Sequence, residues 1–330
     1  MKVLVTGGAG YIGSVVTQRL ASSGYEVVVV DDLSTGYRDN IPSGVEFHQL
    51  SIHNVDRVLT AKAGIEGVLH LAAKAQVAES VARPDLYWNT NVAGSLALLS
   101  AMRAAGTLRL IVSSTCSIYA DAGPVPLTED SVVQPASPYA ASKLMVDMLL
   151  SAEAKAFGLA SVSLRYANAA GAVGGLGERH LPESHLIPML LQVAGGQRRR
   201  LILHGTDYPT PDGTCVRDYI HVDDLASAHL LALQSAEPHR HAIYNLGSGD
   251  GYSNADIIEA VRVVTGKAVQ VSDGPRRDGD AVATVVSNER ARRELGWIPS
   301  RTELHDIVRD AWQFHLTRLD TKRQYRGGQE

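Results

Sequence analysis

A chain of 330 residues, 45% hydrophobic and 20% charged, has the material for one large core with a smaller one appended, and it is neither disordered nor fibrous in composition. The formal net charge of −4 leaves no electrostatic footprint for nucleic acid, and the one basic run, Arg198 to Arg200, reads as a solvated loop. No apolar run approaches the ~20 residues of a membrane span, and Met1 opens directly on a strand with no leader-like stretch. With two cysteines only, Cys116 and Cys215, no disulfide framework is expected, and both read as buried thiols in a reducing cytoplasm.

Strand-like runs at 2–6, 26–30, 67–71, 108–113 and 160–165 alternate with helix-length segments, the rhythm of a parallel, doubly wound α/β sheet. Val, Ile and Leu occupy both alternating positions of these runs, as in strands covered by helices on both faces. Beyond residue 168 the rhythm breaks into Gly-, Pro- and His-rich loops at 171–188 and 205–213, where a second, smaller lobe is expected to carry the substrate. A strand and amphipathic helix at 218–234 and a strand at 242–246 follow. Residues 1–170 therefore read as the first domain, with segments near 216–247 returning to it, and 171–330 as an interleaved second lobe ending in a frayed tail near 320–330.

The first strand runs into Gly7-Gly8-Ala9-Gly10-Tyr11-Ile12-Gly13 and then an apolar-periodic helix. Glycines at 7, 10 and 13 let backbone approach a pyrophosphate at the N-terminus of that helix. Asp31, followed by Asp32, ends the next strand; a carboxylate there accepts hydrogen bonds from ribose hydroxyls and repels a 2′-phosphate, so NAD is expected as cofactor in preference to NADP. Further on, Tyr139-Ala140-Ala141-Ser142-Lys143 sets a phenol and an ammonium at i and i+4 on one face of a helix whose start is marked by Pro138. A lysine and an oxidised nicotinamide nearby both favour the phenolate, making Tyr139 a candidate base.

These features together resemble the sugar-nucleotide 4-epimerases of the extended short-chain dehydrogenase/reductase family, and the resemblance covers about residues 1–315. It implies a Rossmann-type domain with a UDP-sugar lobe, and cofactor contacts at Ser51 and Ile52, where the family carries Asp-Ile, at Leu71, Ala72 and Ala73, and at Asn91, Ser113 and Tyr166. It also implies that Thr115 relays the substrate proton to Tyr139, with Lys143 on the nicotinamide ribose. Substrate contacts are implied at Asn168, at His185 and Leu186, at Arg217 and Arg277 on the diphosphate, at Asp280 on the uridine ribose, and at Thr284 in the sugar pocket. The segment 207–224 is the most specific part of the likeness.

The implied reaction is NAD-dependent inversion at C4 of a UDP-hexose, with a UDP-N-acetylhexosamine or UDP-glucuronate as the alternative substrate. No metal is implied. The resemblance also implies a homodimer through helices near 84–105 and 138–157. A 4,6-dehydratase would place an acid beside Thr115, where Cys116 and Ser117 stand, and an NAD-binding regulator without activity has no use for the Tyr139 and Lys143 pair.

Overall fold

The computed structural model describes residues 1–119, 125–277 and 280–327, the last eight by backbone alone. Its first half runs β1 (Lys2–Thr6), α1 (Tyr11–Ser22), β2 (Glu26–Asp31), β3 (Glu46–Gln49), β4 (Gly67–His70), α2 (Val77–Ala82), α3 (Pro84–Tyr87), α4 (Gly94–Ala105), β5 (Arg109–Thr115), α5 (Pro138–Phe157) and β6 (Ala160–Tyr166). The second half runs β7 (Asn168–Ala170), β8 (Ala172–Val173), β9 (Leu176–Gly177), α6 (Leu186–Ala194), β10 (Leu201–His204), β11 (Val216–His221), α7 (Val222–Ser235) and β12 (His241–Leu246). It closes with β13 (Gly251–Ser253), α8 (Asn254–Thr265), β14 (Val271–Gly274), β15 (Ala283–Thr284), α9 (Glu289–Leu295) and α10 (Leu304–Gly327).

Seven parallel strands form the main sheet in the order β12-β6-β5-β4-β1-β2-β3, doubly wound as the alternation of apolar runs predicts. Alternate residues of β1 enter opposite cores. Val3 and Val5 pack with Leu20, Leu225 and Trp297, while Leu4 packs with Leu98, Met102 and Leu150. A third core of Ile187, Leu190, Leu203, Ile257 and Ile307 joins α6, α8 and α10 beneath the smaller lobe.

Two expectations are corrected and one strand is added. Strand β11 does not return to the main sheet: it pairs with β7, β13 and β15 in a four-stranded mixed sheet, and only α7 and β12 go back. An apolar run announces a strand but not its partner. The added strand is the edge strand β3, which carries no apolar run because Glu46-Phe47-His48-Gln49 is half-exposed and has no β-branched residue. Helix α10 carries on through the stretch from residue 320 read as a frayed tail, because Lys, Arg and Gln sustain a helix without an apolar stripe; residues 328–330 lie outside the described ones.

Two buried histidines set a pH dependence of stability. His70 Nδ1 lies 2.7 Å from Thr6 Oγ1 and its Nε2 3.0 Å from Ser95 Oγ, and burial drives its pKa down to about 3. His229, with Nδ1 2.8 Å from the Leu225 carbonyl, is driven down to about 4, also by burial. Both are neutral when folded and take up protons near 6.5 when unfolded, so the stability they confer is complete above that pH and is lost as pH falls through the folded values. Urea unfolding at pH 7 and pH 4.5 should differ by on the order of 3–5 kcal/mol from these two groups, the acid side being weaker.

Candidate active site

The C-terminal ends of β1, β2, β4, β5 and β6 open into a cavity of about 1170 Å³ whose far wall is the smaller lobe. Ligands of doubly wound sheets bind at this edge because the strands end there and the helices that follow present free N–H groups. Every candidate cofactor, catalytic or substrate residue named from the sequence lines this cavity except Ser51 and Asn91.

The glycine turn is shaped by what a side chain would strike. Gly7 sits at φ +75°, and a Cβ there would lie 2.5 Å from the backbone nitrogen of Ala72; a Cβ on Gly13 would run into the Gly7 carbonyl. The N-cap of α1 is Gly10, with no side chain capping the first turn, so its N–H groups are free for an anion. Asp31 Oδ2 accepts from Ala9 N at 2.9 Å and Oδ1 from Leu33 N at 2.8 Å; burial pushes its carboxyl upward against those two bonds. A turn that admits no Cβ, an uncapped helix start and a fixed acid at the tip of β2 fit a dinucleotide.

Ser51 instead caps a short helical turn, its hydroxyl facing His53 N at 3.4 Å. Asn91 lies in a wide π-type turn at Trp88–Ala93, and its amide is used up inside the protein. Oδ1 accepts from Lys74 N at 2.8 Å, while Nδ2 donates to Lys74 O at 3.0 Å and to Ser142 Oγ at 2.9 Å. It thus ties the segment after β4 to α5 rather than facing the cavity.

Helix α5 starts at Pro138 behind Ser137, whose Oγ accepts from Ala140 N, and its first turns carry Tyr139 and Lys143 to the cavity. Lys143 Nζ donates to the Ser113 carbonyl at 2.8 Å, and burial pulls its pKa down to about 8 although Asp147 opposes this. Burial pushes the Tyr139 phenol up to about 12, against a lowering by the Thr115 hydroxyl. The phenol is therefore held in its protonated form by burial, and the expected phenolate calls for the oxidised nicotinamide as well as the lysine.

Thr115 Oγ1 accepts from Ser117 N at 3.1 Å and lies 3.0 Å from Ser117 Oγ. Tyr87, which the sequence did not single out, is fully buried and meets the Tyr139 ring edge-on at 6.3 Å, with its hydroxyl bonded to Gln76 O at 2.6 Å. Its role depends on contacts across elements, and no local pattern marks it.

The far wall gathers on β11. Asn168 on β7 is in register with Tyr219 and donates to the Asp218 carbonyl at 3.2 Å, while Thr284 on β15 is in register with Arg217. Arg217 Nη1 donates to the carbonyls of Val216 and Ala281, and its Nη2 is 3.8 Å from Asp280 Oδ1. Arg277 is exposed at the cavity. Leu186 opens α6, and His185 before it is held by Glu178 and Glu183, whose carboxylates push its pKa up against burial. Residues 278 and 279 of this wall lie outside the described ones.

A glycine-cradled dinucleotide site beside a Tyr-x-x-x-Lys helix defines an NAD-dependent enzyme of the short-chain dehydrogenase/reductase kind. The chain belongs to the NAD dependent epimerase/dehydratase family, whose model it matches over residues 3–247. It is 50% identical to the UDP-glucose 4-epimerase of Streptomyces lividans, covering 95% of this chain and 96% of that one, and 49% identical to that of Corynebacterium glutamicum, covering 95% of both. The crystal structure of UDP-glucose 4-epimerase from Brucella ovis in complex with NAD superposes with a TM-score of 0.90 at 40% identity, over 94% of this chain and 97% of that one.

Proposed function

We propose that the protein is a UDP-glucose 4-epimerase, interconverting UDP-galactose and UDP-glucose, and that the residues above divide the task as follows. The observation that carries the reading is that one cavity holds the dinucleotide cradle, the Tyr139 and Lys143 pair and, opposite them, Arg217 and Arg277. Bound NAD supplies the hydride acceptor and donor at C4 and, when oxidised, the positive charge that a phenol at about 12 needs to become a base near neutral pH. Tyr139 removes the proton from the sugar O4, with Thr115 beside it to relay. Lys143, fixed by the Ser113 carbonyl, holds the nicotinamide ribose. Arg217, Arg277 and Asn168 grip the diphosphate and Asp280 the uridine ribose, leaving the sugar free to turn and present its other face.

The test is turnover of UDP-galactose by purified protein without added NAD, followed by appearance of UDP-glucose. Activity supports the reading with a retained cofactor, and inactivity both with and without added NAD refutes it. The small side chain of Thr284 at the cavity favours a second substrate with an N-acetyl group, which the same assay with UDP-N-acetylglucosamine addresses.

No helix among the described residues is long and apolar enough to cross a membrane. A cytoplasmic site of action is supported by the two free buried thiols, Cys116 and Cys215. A homodimer is supported by apolar side chains left in solvent on the helices that the resemblance marks: Leu96 on α4, and Met145 and Met148 on α5, Met148 being 65% exposed. Met148→Arg should convert a dimer to a monomer in sedimentation velocity, because a buried charge without a partner would open the interface.

A further inference from the structure

The loop between β9 and α6 brings four metal-ligating side chains to one point. The donor atoms of Glu178, His180, Glu183 and His185 all lie within 4.8 Å of one another. His185 Nδ1 is 2.6 Å from Glu178 Oε1 and 3.0 Å from Glu183 Oε1, and His180 Nδ1 is 3.0 Å from Glu178 Oε1.

Charge makes this arrangement unusual. The side chains of Glu178 and Glu183 are only 9% and 4% exposed, and among the described residues no lysine or arginine pairs with either. Two carboxylates withdrawn from water call for two positive charges. Two imidazolium rings could provide them, but the rings of His180 and His185 lie with centroids 5.2 Å apart, so their charges would oppose each other. A divalent ion supplies the same charge at a single point and leaves both imidazoles neutral.

Two imidazole nitrogens and two carboxylate oxygens are a donor set suited to zinc and its first-row neighbours. Donors held at about 2.1 Å from a tetrahedral ion stand roughly 3.4 Å apart, so the pairs at 2.6–3.0 Å open by under an ångström while the widest, within 4.8 Å, close by up to about 1.4 Å. The outer contacts are also in place: Glu183 Oε1 accepts from Ser184 N and His185 N at 2.8 and 2.9 Å, which orients it.

We propose that Glu178, His180, Glu183 and His185 form a closed four-ligand site for a zinc-class divalent cation, which pins the loop that leads into α6. All four line the cavity, and His185 precedes Leu186, so the ion stiffens the nucleotide wall while taking no part in the hydride and proton transfers. This goes beyond the proposed reaction, and its readout does not depend on activity.

The test uses the NAD-containing protein as purified, stripped with a chelator and titrated with Co²⁺ in the visible range and with Zn²⁺ by calorimetry. One ion per chain is expected, with the d–d bands of four-coordinate Co²⁺ and a rise in melting temperature. Glu178→Gln with His180→Asn should bind no ion. His180→Asn alone, which keeps both carboxylates and is the milder change to the fold, should weaken binding at least tenfold. The proposal is overturned if the parent protein takes up no ion, or if His180→Asn binds as tightly as the parent.

Discussion

Tyr139→Phe is expected to lower turnover of UDP-galactose by about 10²–10⁴-fold while the purified protein still carries NAD. The substitution deletes one oxygen. The ring keeps its edge-on contact with Tyr87, and nothing in the glycine turn or around Asp31 touches the phenol, so the cradle is unaltered. What disappears is the group that exchanges the O4 proton. The residual rate should also lose the pH dependence that the phenol imposes. Cofactor content by absorbance and kcat on one preparation check both halves, and undiminished turnover would remove Tyr139 from the chemistry.

The largest effect on stability should come from Asp147, one turn beyond Lys143 on α5. Its side chain and that of Arg165 on β6 are each only 4% exposed, and Oδ2 accepts from Arg165 Nε and Nη2 at 3.0 and 2.9 Å. Ser163 Oγ donates to Oδ1 at 2.6 Å. The guanidinium continues through Nη1 to Tyr119 Oη at 3.0 Å, and that hydroxyl donates to Asn245 Oδ1 on β12 at 2.6 Å.

The network therefore fastens the catalytic helix to two neighbouring strands of the sheet. Asp147→Ala leaves a buried guanidinium without its counter-charge and should cost about 3–5 kcal/mol. Asp147→Ala combined with Arg165→Met removes both charges and should be less destabilised than Asp147→Ala alone, as denaturant midpoints of the two variants would show. Equal losses would mean that the helix is held by its apolar face instead.

The central strands of the main sheet are legible because they are buried on both faces and so carry apolar residues at successive positions, as in Val27–Val30 of β2, whereas the half-exposed edge strand β3 is not. The glycine turn was legible for a related reason: contact between backbone segments excludes all other residues at Gly7 and Gly13. Chain pairing was not legible. The run at 216–221 reads like any other strand, yet it lies in the second sheet, because its partners Asn168, Thr284 and Gly251–Ser253 are brought there by loops. Asn91 shows the same limit in the site itself: the motif marks the residue, but the wide turn that aims its amide at Lys74 and Ser142 has no local signature. The spacing of Glu178, His180, Glu183 and His185 is visible in the sequence, but spacing alone does not show that four side chains on a loop converge on one point.

The pairing of β7 with β11 has a mechanical meaning. Strand β6 ends at Tyr166 in the main sheet, and two residues later the same chain enters the second sheet at Asn168, hydrogen-bonded to β11, which then returns through α7 and β12 to the first. Neither sheet is completed by a continuous stretch of chain. A gene fragment ending near residue 170 would lack α7 and the edge strand β12, and a fragment starting there would lack the sheet on which α7 rests. The halves should not fold apart, and heat or denaturant should melt the two lobes in one cooperative step rather than two.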